Sequence, residues 1–241
     1  MDLWSPKFNR ILLLKWIKIM IEIIFLTVKI SVLATALNIP IALLIGWAVG
    51  RKQFRGKFLL ELVVSLPLAL PPVALGYGLL LLVGREGPLG RLSDLLFGTD
   101  IVFTWVAATL AASVVSLPLM ARATIVAMSS VDETLERSAR SLGAGPFRTF
   151  ITITVPLSYH GVLGGILLGF VRALAEFGAT IIVAGNIPGR TQTIPLAIYN
   201  KVQLGRNDDA LILVGVSVVL AVCTLSAYTW LLSKSGKNYS L

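Results

Sequence analysis

The sequence predicts an all-α, polytopic membrane protein. It should have about five transmembrane helices, an amphipathic N-terminal segment in the interface and a polar helical insert between two spans. Three observations support this. Apolar residues make up 56% of the 241 and charged residues only 14%, whereas soluble domains carry about 25% charged residues; mean hydropathy is +0.86. Apolar runs of the roughly 20 residues that cross a bilayer recur along the chain. Between two of them lies a polar island, ERSARSLGAGPFRTFITITVP, from Glu136 to Pro156.

The same features exclude several functions. The formal charge of +9 does not imply nucleic acid, because Lys and Arg collect in cytoplasmic loops of membrane proteins. Cys223 is the only cysteine, so no intrachain disulfide is expected and the thiol reads as a small apolar filler. His160 is the only histidine and has no thiolate nearby, so no metal site is expected. No cleavable leader is expected, since Lys15, Lys18 and Glu22 break the first apolar run and no small-residue cleavage site follows. The G-x-x-x-x-G-K-[ST] phosphate loop is missing, so nucleotide-driven work would need a second polypeptide. The chain is not expected to be an enzyme or to bind a cofactor.

The elements follow in order. Lys15, Lys18, Glu22 and Lys29 fall on one helix face at 100° per residue. Residues 1–25 therefore read as an interfacial amphipathic segment, with one longer tilted helix as the alternative. The apolar region, 26–232, then opens with a span over about 26–49. Arg51, Lys52, Arg55 and Lys57 form a basic loop without an acid, the clearest mark of a cytoplasmic side. A second span covers about 58–83. Its Pro67, Pro71 and Pro72 free backbone carbonyls, which suits either a kinked pore-lining helix or a packing bend. Residues 84–100 read as an external loop, and about 101–121 as a third span closed by Arg122. After the island come a fourth span at about 161–183, a second external loop over 186–209, a last span at about 210–232 and a tail, 233–241. With the basic loop inside, ten Lys and Arg lie in cytoplasmic segments and five in external loops. Lys7, Arg10, Lys15 and Lys18 from an external N-terminus narrow that bias.

Within the insert, 129–156, Ser130 and Glu133 fit a capping box that starts a helix near Val131, and Gly143 suits the left-handed residue that ends it. Leu135, Ala139 and Leu142 share one side of this helix; Glu133, Glu136, Arg137 and Arg140 dominate the other. Pro146 opens a second helix in which Phe147, Phe150, Ile151 and Thr154 keep amphipathic spacing. Two short helices meeting at Gly143–Ala144–Gly145 would make a knob, either a docking surface or a helical hairpin without a partner.

The island resembles the EAA loop of ABC-transporter permeases: a glutamate and alanines, a glycine, nine residues, then Ile-x-Leu-Pro. Here Gly143 is followed by nine residues and Ile153-Thr154-Val155-Pro156, and the glutamate-alanine part reads Glu136-Arg137-Ser138-Ala139. The stretch from Arg172 to Tyr199, RALAEFGATIIVAGNIPGRTQTIPLAIY, resembles the molybdate-type permeases of oxyanion importers. The similarity covers about residues 25–232. It implies a type I ABC importer permease in the bacterial plasma (inner) membrane, working as a homodimer with ABC ATPase subunits that carry ATP and Mg, and with an external oxyanion-binding protein. By that resemblance Glu136, Ala139, Arg140, Leu142, Gly143 and Ala144 couple to the ATPase. The cargo would be molybdate, with tungstate or sulfate/thiosulfate as alternatives.

The fourth span carries Gly161, Gly165 and Gly169 in overlapping G-x-x-x-G patterns. Arg172 and Glu176 fall within about 80° of that stripe at 100° per residue, so both should face protein rather than lipid. They read either as a structural i, i+4 pair or, with Phe177 and Gly178, as part of a gate on the anion path. An ion-coupled secondary carrier would need further ionisable residues at mid-depth or internal repeats, and the sequence has neither.

Overall fold

A computed structural model describes residues 6–236, all helices and connections, with no strand among them. The tail's last residues and the first five lie outside that range. The first helix, α1 (Pro6–Arg51), runs 46 residues without a break. The division expected near residue 25 is therefore not marked in the backbone. No glycine or proline interrupts the chain between Pro6 and Pro40, so nothing local stops the helix.

The second span departs most from expectation. It is two helices, α2 (Lys57–Ala69) and α3 (Pro72–Val83), bent by 113°. The cause is the Pro71–Pro72 pair. Each proline disfavours the helical conformation of the residue before it, and both Leu70 and Pro71 are extended. Pro67, standing alone, is accommodated inside α2.

Residues 84–100 contain a helix, α4 (Pro88–Phe97), with proline in its first turn and Gly98 at φ +61° after its last. The third span, α5 (Trp105–Ser129), continues two turns past Arg122, which lies inside it. Among the described residues four helices, or five spans with the bent pair counted as one, are long and apolar enough to cross a membrane.

α1, α5 and the helix after the island form the centre. Gly46 lets α1 approach α5 closely, since a Cβ there would lie 2.6 Å from the Thr124 methyl. Deeper along the same contact Asn38, fully buried, donates to the Ser113 carbonyl at 2.9 Å and the Ser116 hydroxyl at 3.0 Å, and Ser113 donates back to Asn38 Oδ1. Thr27, Ser31 and Thr35 each donate to the carbonyl four residues before. Polar groups buried at this depth are thus paired within the protein.

On the other face of α5 the predicted glycine stripe packs as expected. A Cβ on Gly161 would meet Ala127 at 2.5 Å, one on Gly165 would meet Ala123 at 3.0 Å, and one on Gly169 would meet Met120 at 2.7 Å.

Candidate functional site

The polar island forms a knob at the end of the bundle that carries the basic 51–57 loop. Its first helix, α6 (Glu133–Ser141), is capped by Asp132, which accepts from the Thr134 N–H at 2.8 Å, and not by Ser130. Ser130 is spent on ending α5, its hydroxyl donating to Ala127 O. The helix therefore starts two residues later than the capping box implies, because α5 runs on to Ser129. Gly143 has φ +86°. The Ala144 N–H reaches Ala139 O and the Gly143 N–H reaches Arg140 O, each at 3.0 Å. This is the paired bonding of a Schellman stop, which needs a left-handed residue.

The second helix is not separate from the span that follows. α7 (Pro146–Thr149), a π-helical turn (Phe150–Thr154) and α8 (Val155–Leu174) form one continuous helix of 29 residues. The knob is therefore one short helix standing on the root of a span. Any displacement of its turn acts on α8 directly.

Both sides of α6 are largely exposed, Glu133, Arg137 and Arg140 on the charged side included, and Glu136 alone among its charges is buried. Leu142 is 90% exposed, and Leu135, Phe147 and Ile151 are exposed around it. Arg140 and Gly143 are also exposed, and Ala139 and Ala144 are half-buried. Glu136 is buried, with its side chain 9% exposed.

Glu136 Oε1 accepts from Arg51 Nε at 2.9 Å and from the Thr154 hydroxyl at 2.5 Å, while Arg140 stands 3.7 Å from Oε2. The Arg51 side chain, 3% exposed, also donates to Val131 O at 2.7 Å and more weakly to Met128 O. One carboxylate and one guanidinium thus tie the end of α1, the end of α5, α6 and the root of α8 together. In the sequence Arg51 is only one charge of the basic loop that marks the cytoplasmic side. Its 85-residue separation from Glu136 leaves no sequence signal for the pair.

Burial alone pushes the Glu136 carboxyl up. The hydrogen bonds from Arg51 and Thr154 and the Arg51 and Arg140 charges outweigh it, and its pKa lies below the ordinary value.

At the far end of α8 the helix stops at Leu174 and restarts as α9 (Gly178–Val183). Arg172 Nη1 pairs with Glu176 Oε2 at 2.9 Å, and Glu176 Oε1 accepts from the Ala179 N–H at 2.8 Å. Glu176 is thereby both counter-ion and cap for the restarted helix, and the field of Arg172 is largely cancelled. Phe177 packs against Tyr199, with ring centroids 5.2 Å apart. A Cβ on Gly178 would lie 2.8 Å from Pro72, and one on Gly76 would lie 2.8 Å from Ala179. The break in the fourth span and the Pro71–Pro72 bend thus meet at a contact only glycine permits. No group of three or more His, Cys, Asp or Glu able to hold a metal ion occurs among the described residues. His160 stacks edge-on to Tyr159.

Comparison with known proteins gives a consistent match. Residues 39–233 match the family described as binding-protein-dependent transport system inner membrane component. The molybdenum transport system permease protein ModB of Escherichia coli (strain K12) is 46% identical over 212 residues, covering 87% of this chain and 92% of the relative. ModB of Haemophilus influenzae is 41% identical, covering 90% and 96%. The sulfate transport system permease protein CysW of Synechococcus elongatus is 39% identical, covering 83% and 71%. Among solved structures, an inward-facing MetNI methionine ABC transporter matches at TM-score 0.70 and 14% identity, over 91% of this chain and 97% of the other. An ABC transporter that imports the acidic polysaccharide alginate matches at 0.68 and 17% identity, over 98% and 81%. At these identities the two structures speak for the fold alone.

Proposed function

This chain belongs to the binding-protein-dependent transport system inner membrane component family, and on that premise we propose that it is the permease subunit of a molybdate importer. Membership makes it an inner-membrane transport subunit working with ATPase subunits and a binding protein. The identity of 46% to a molybdenum permease against 39% to a sulfate permease carries the choice of cargo. Tungstate is a close chemical analogue, and sulfate is the second reading.

In the mechanism we favour, the knob is where the ATPase pushes. Leu142, Leu135 and Phe147 offer an apolar contact, Arg140 a charged rim, and Gly143 with Ala139 and Ala144 holds the turn that presents them. Glu136 works from inside, fixing the knob to α1 and to the root of α8 through Arg51 and Thr154. ATP and Mg bind the ATPase; its closure draws two knobs together, and each permease changes the side to which it opens. ATP and the anion must each favour one of those two states for the cycle to turn.

Two copies are required on this reading. Five spans can hardly enclose a path, and no residue of α2 is buried in the single chain. Arg172, Glu176, Phe177 and Gly178 are assigned to a gate. The neutralised Arg172 favours passage over tight binding, and the two helix breaks meeting at Gly178 supply a hinge. Of the interfacial segment expected over 1–25, residues 6–25 are assigned to the interfacial part of α1, and the first five lie outside the described residues.

Reconstitution tests the function. Vesicles containing this chain, its ATPase and its binding protein should accumulate molybdate only with ATP, and unlabelled tungstate should compete better than sulfate. Uptake by this chain without the ATPase would overturn the permease mechanism, and stronger competition by sulfate would reverse the choice of cargo.

A further inference from the structure

Arg122 is a charge that neither the gate nor the knob uses. It lies seven residues, about 10 Å, inside the basic end of α5, and it is exposed. No carboxylate lies within ion-pair distance of it among the described residues. Arg172, by contrast, is discharged by Glu176. The partner of Arg122 is a hydroxyl: its Nε and Nη2 approach Ser65 Oγ of α2 at 3.3 and 3.1 Å.

Because the Ser65 oxygen accepts from Arg122, its own proton is free to donate outward, and no acceptor for it is found among the described residues. The Nη1–Nη2 edge of the guanidinium is open as well. The pair presents donors and a full positive charge. Beside it a groove of about 400 Å³ runs between α5, α8 and α11 (Asn207–Gly236), lined in part by Arg122, Gly161, Leu168 and Tyr228. An arginine at membrane depth without a counter-ion faces water or a polar ligand, since acyl chains cannot solvate it.

We propose that Arg122 and Ser65 form an anion site that takes a tetrahedral oxyanion, two of its oxygens on the open guanidinium edge and one on the Ser65 hydroxyl. The shared chemistry has two sources, the transported oxyanion leaving the path and the phosphate of an anionic lipid. The first source rests on the reading of the chain as an oxyanion permease.

The test uses the whole complex in vesicles of phosphatidylcholine alone or with added phosphatidylglycerol, measuring molybdate uptake per ATP hydrolysed. For the transported anion, R122Q should lower that ratio about tenfold in both lipids, the order expected for one charge-assisted contact. R122K should keep most of it, and S65A should lower it several-fold. For a lipid phosphate, wild type should be stimulated by phosphatidylglycerol and R122Q should lose only that stimulation. A ratio for R122Q and S65A equal to wild type in both lipids overturns the site. Should R122Q fail to assemble, S65A decides alone, equality with wild type in both lipids again overturning the site. Failure of the wild-type complex to take up molybdate would instead refute the assigned cargo, and the phosphatidylglycerol comparison of ATPase rates would still test the site.

Discussion

Removing both members of the Arg51–Glu136 pair should cost this protein clearly less than the two single removals added together. Both side chains are almost sealed from solvent, at 3% and 9% exposure. Breaking a buried pair from one side leaves an uncompensated charge and costs about 3–5 kcal/mol. Replacing both with apolar residues of similar size is close to neutral for the charges themselves. In Arg51→Met/Glu136→Leu the remaining loss is the Val131 carbonyl and the Thr154 hydroxyl, stripped of their partners, roughly 1–3 kcal/mol each. Arg51 Nη2 already lacks a hydrogen-bond partner, so the pair starts from imperfect geometry and the double variant gives up little there. Thermal unfolding of the purified complex reads the cycle: a single change of about 3 kcal/mol should lower Tm by about 6–12 °C, and the double change should fall clearly short of the sum. Additive single effects would refute the brace. The pH dependence has a definite sign. A carboxyl whose folded pKa is lowered contributes stability that is complete above its unfolded value, about 4.3, and is lost as pH falls through the folded pKa. The difference between wild type and Glu136→Gln should therefore be constant near neutrality and shrink only in acid.

Other substitutions separate contact from construction. Gly143→Val puts a branched side chain at φ +86° but into open space. It should cost about 1–2 kcal/mol of local strain, leave membrane insertion intact and lower molybdate uptake per ATP; an unchanged ratio would remove Gly143 from the coupling turn. Leu142→Asp changes a side chain that is 90% exposed, so Tm should stay within the ±0.5 kcal/mol of ordinary surface changes, while co-purification of the ATPase should fall. Retained co-purification would place the contact elsewhere. Gly161→Leu drives a side chain into Ala127, 2.5 Å from the added Cβ. It should cost about 1–3 kcal/mol or more through overpacking and appear first as lost thermal stability; a Tm equal to wild type would show that α5 and α8 can part without penalty.

Much of the architecture is legible in local chemistry. The glycine stripe on α8, the left-handed stop at Gly143 and proline at the start of α7 each follow from a residue type at a fixed spacing, because the backbone alone imposes those requirements. Local signals mislead where neighbouring elements compete. Ser130 fits a capping box, yet α5 claims it first. Consecutive prolines mark a kink or a packing bend in the sequence, and forcing Leu70 and Pro71 together into extended backbone sets its size at 113°. The amphipathic pattern of α6 was visible, but which side faces in was not. The hydrophobic rule predicts leucines inward, and a buried arginine on α1 reverses it for Glu136.

An all-helical chain in the membrane, the position of its polar insert and the turn within it all follow from local sequence. Composition, apolar run length and the φ tolerance of glycine and proline act over a few residues. Tertiary structure alone decided what the charges do. Arg51 meets Glu136 across 85 residues, Arg122 meets Ser65 across 57, and Gly178 meets Pro72 where two broken helices touch. The energy of a charge is set by the partner and the solvent around it, and neither is written within a few residues of the charge.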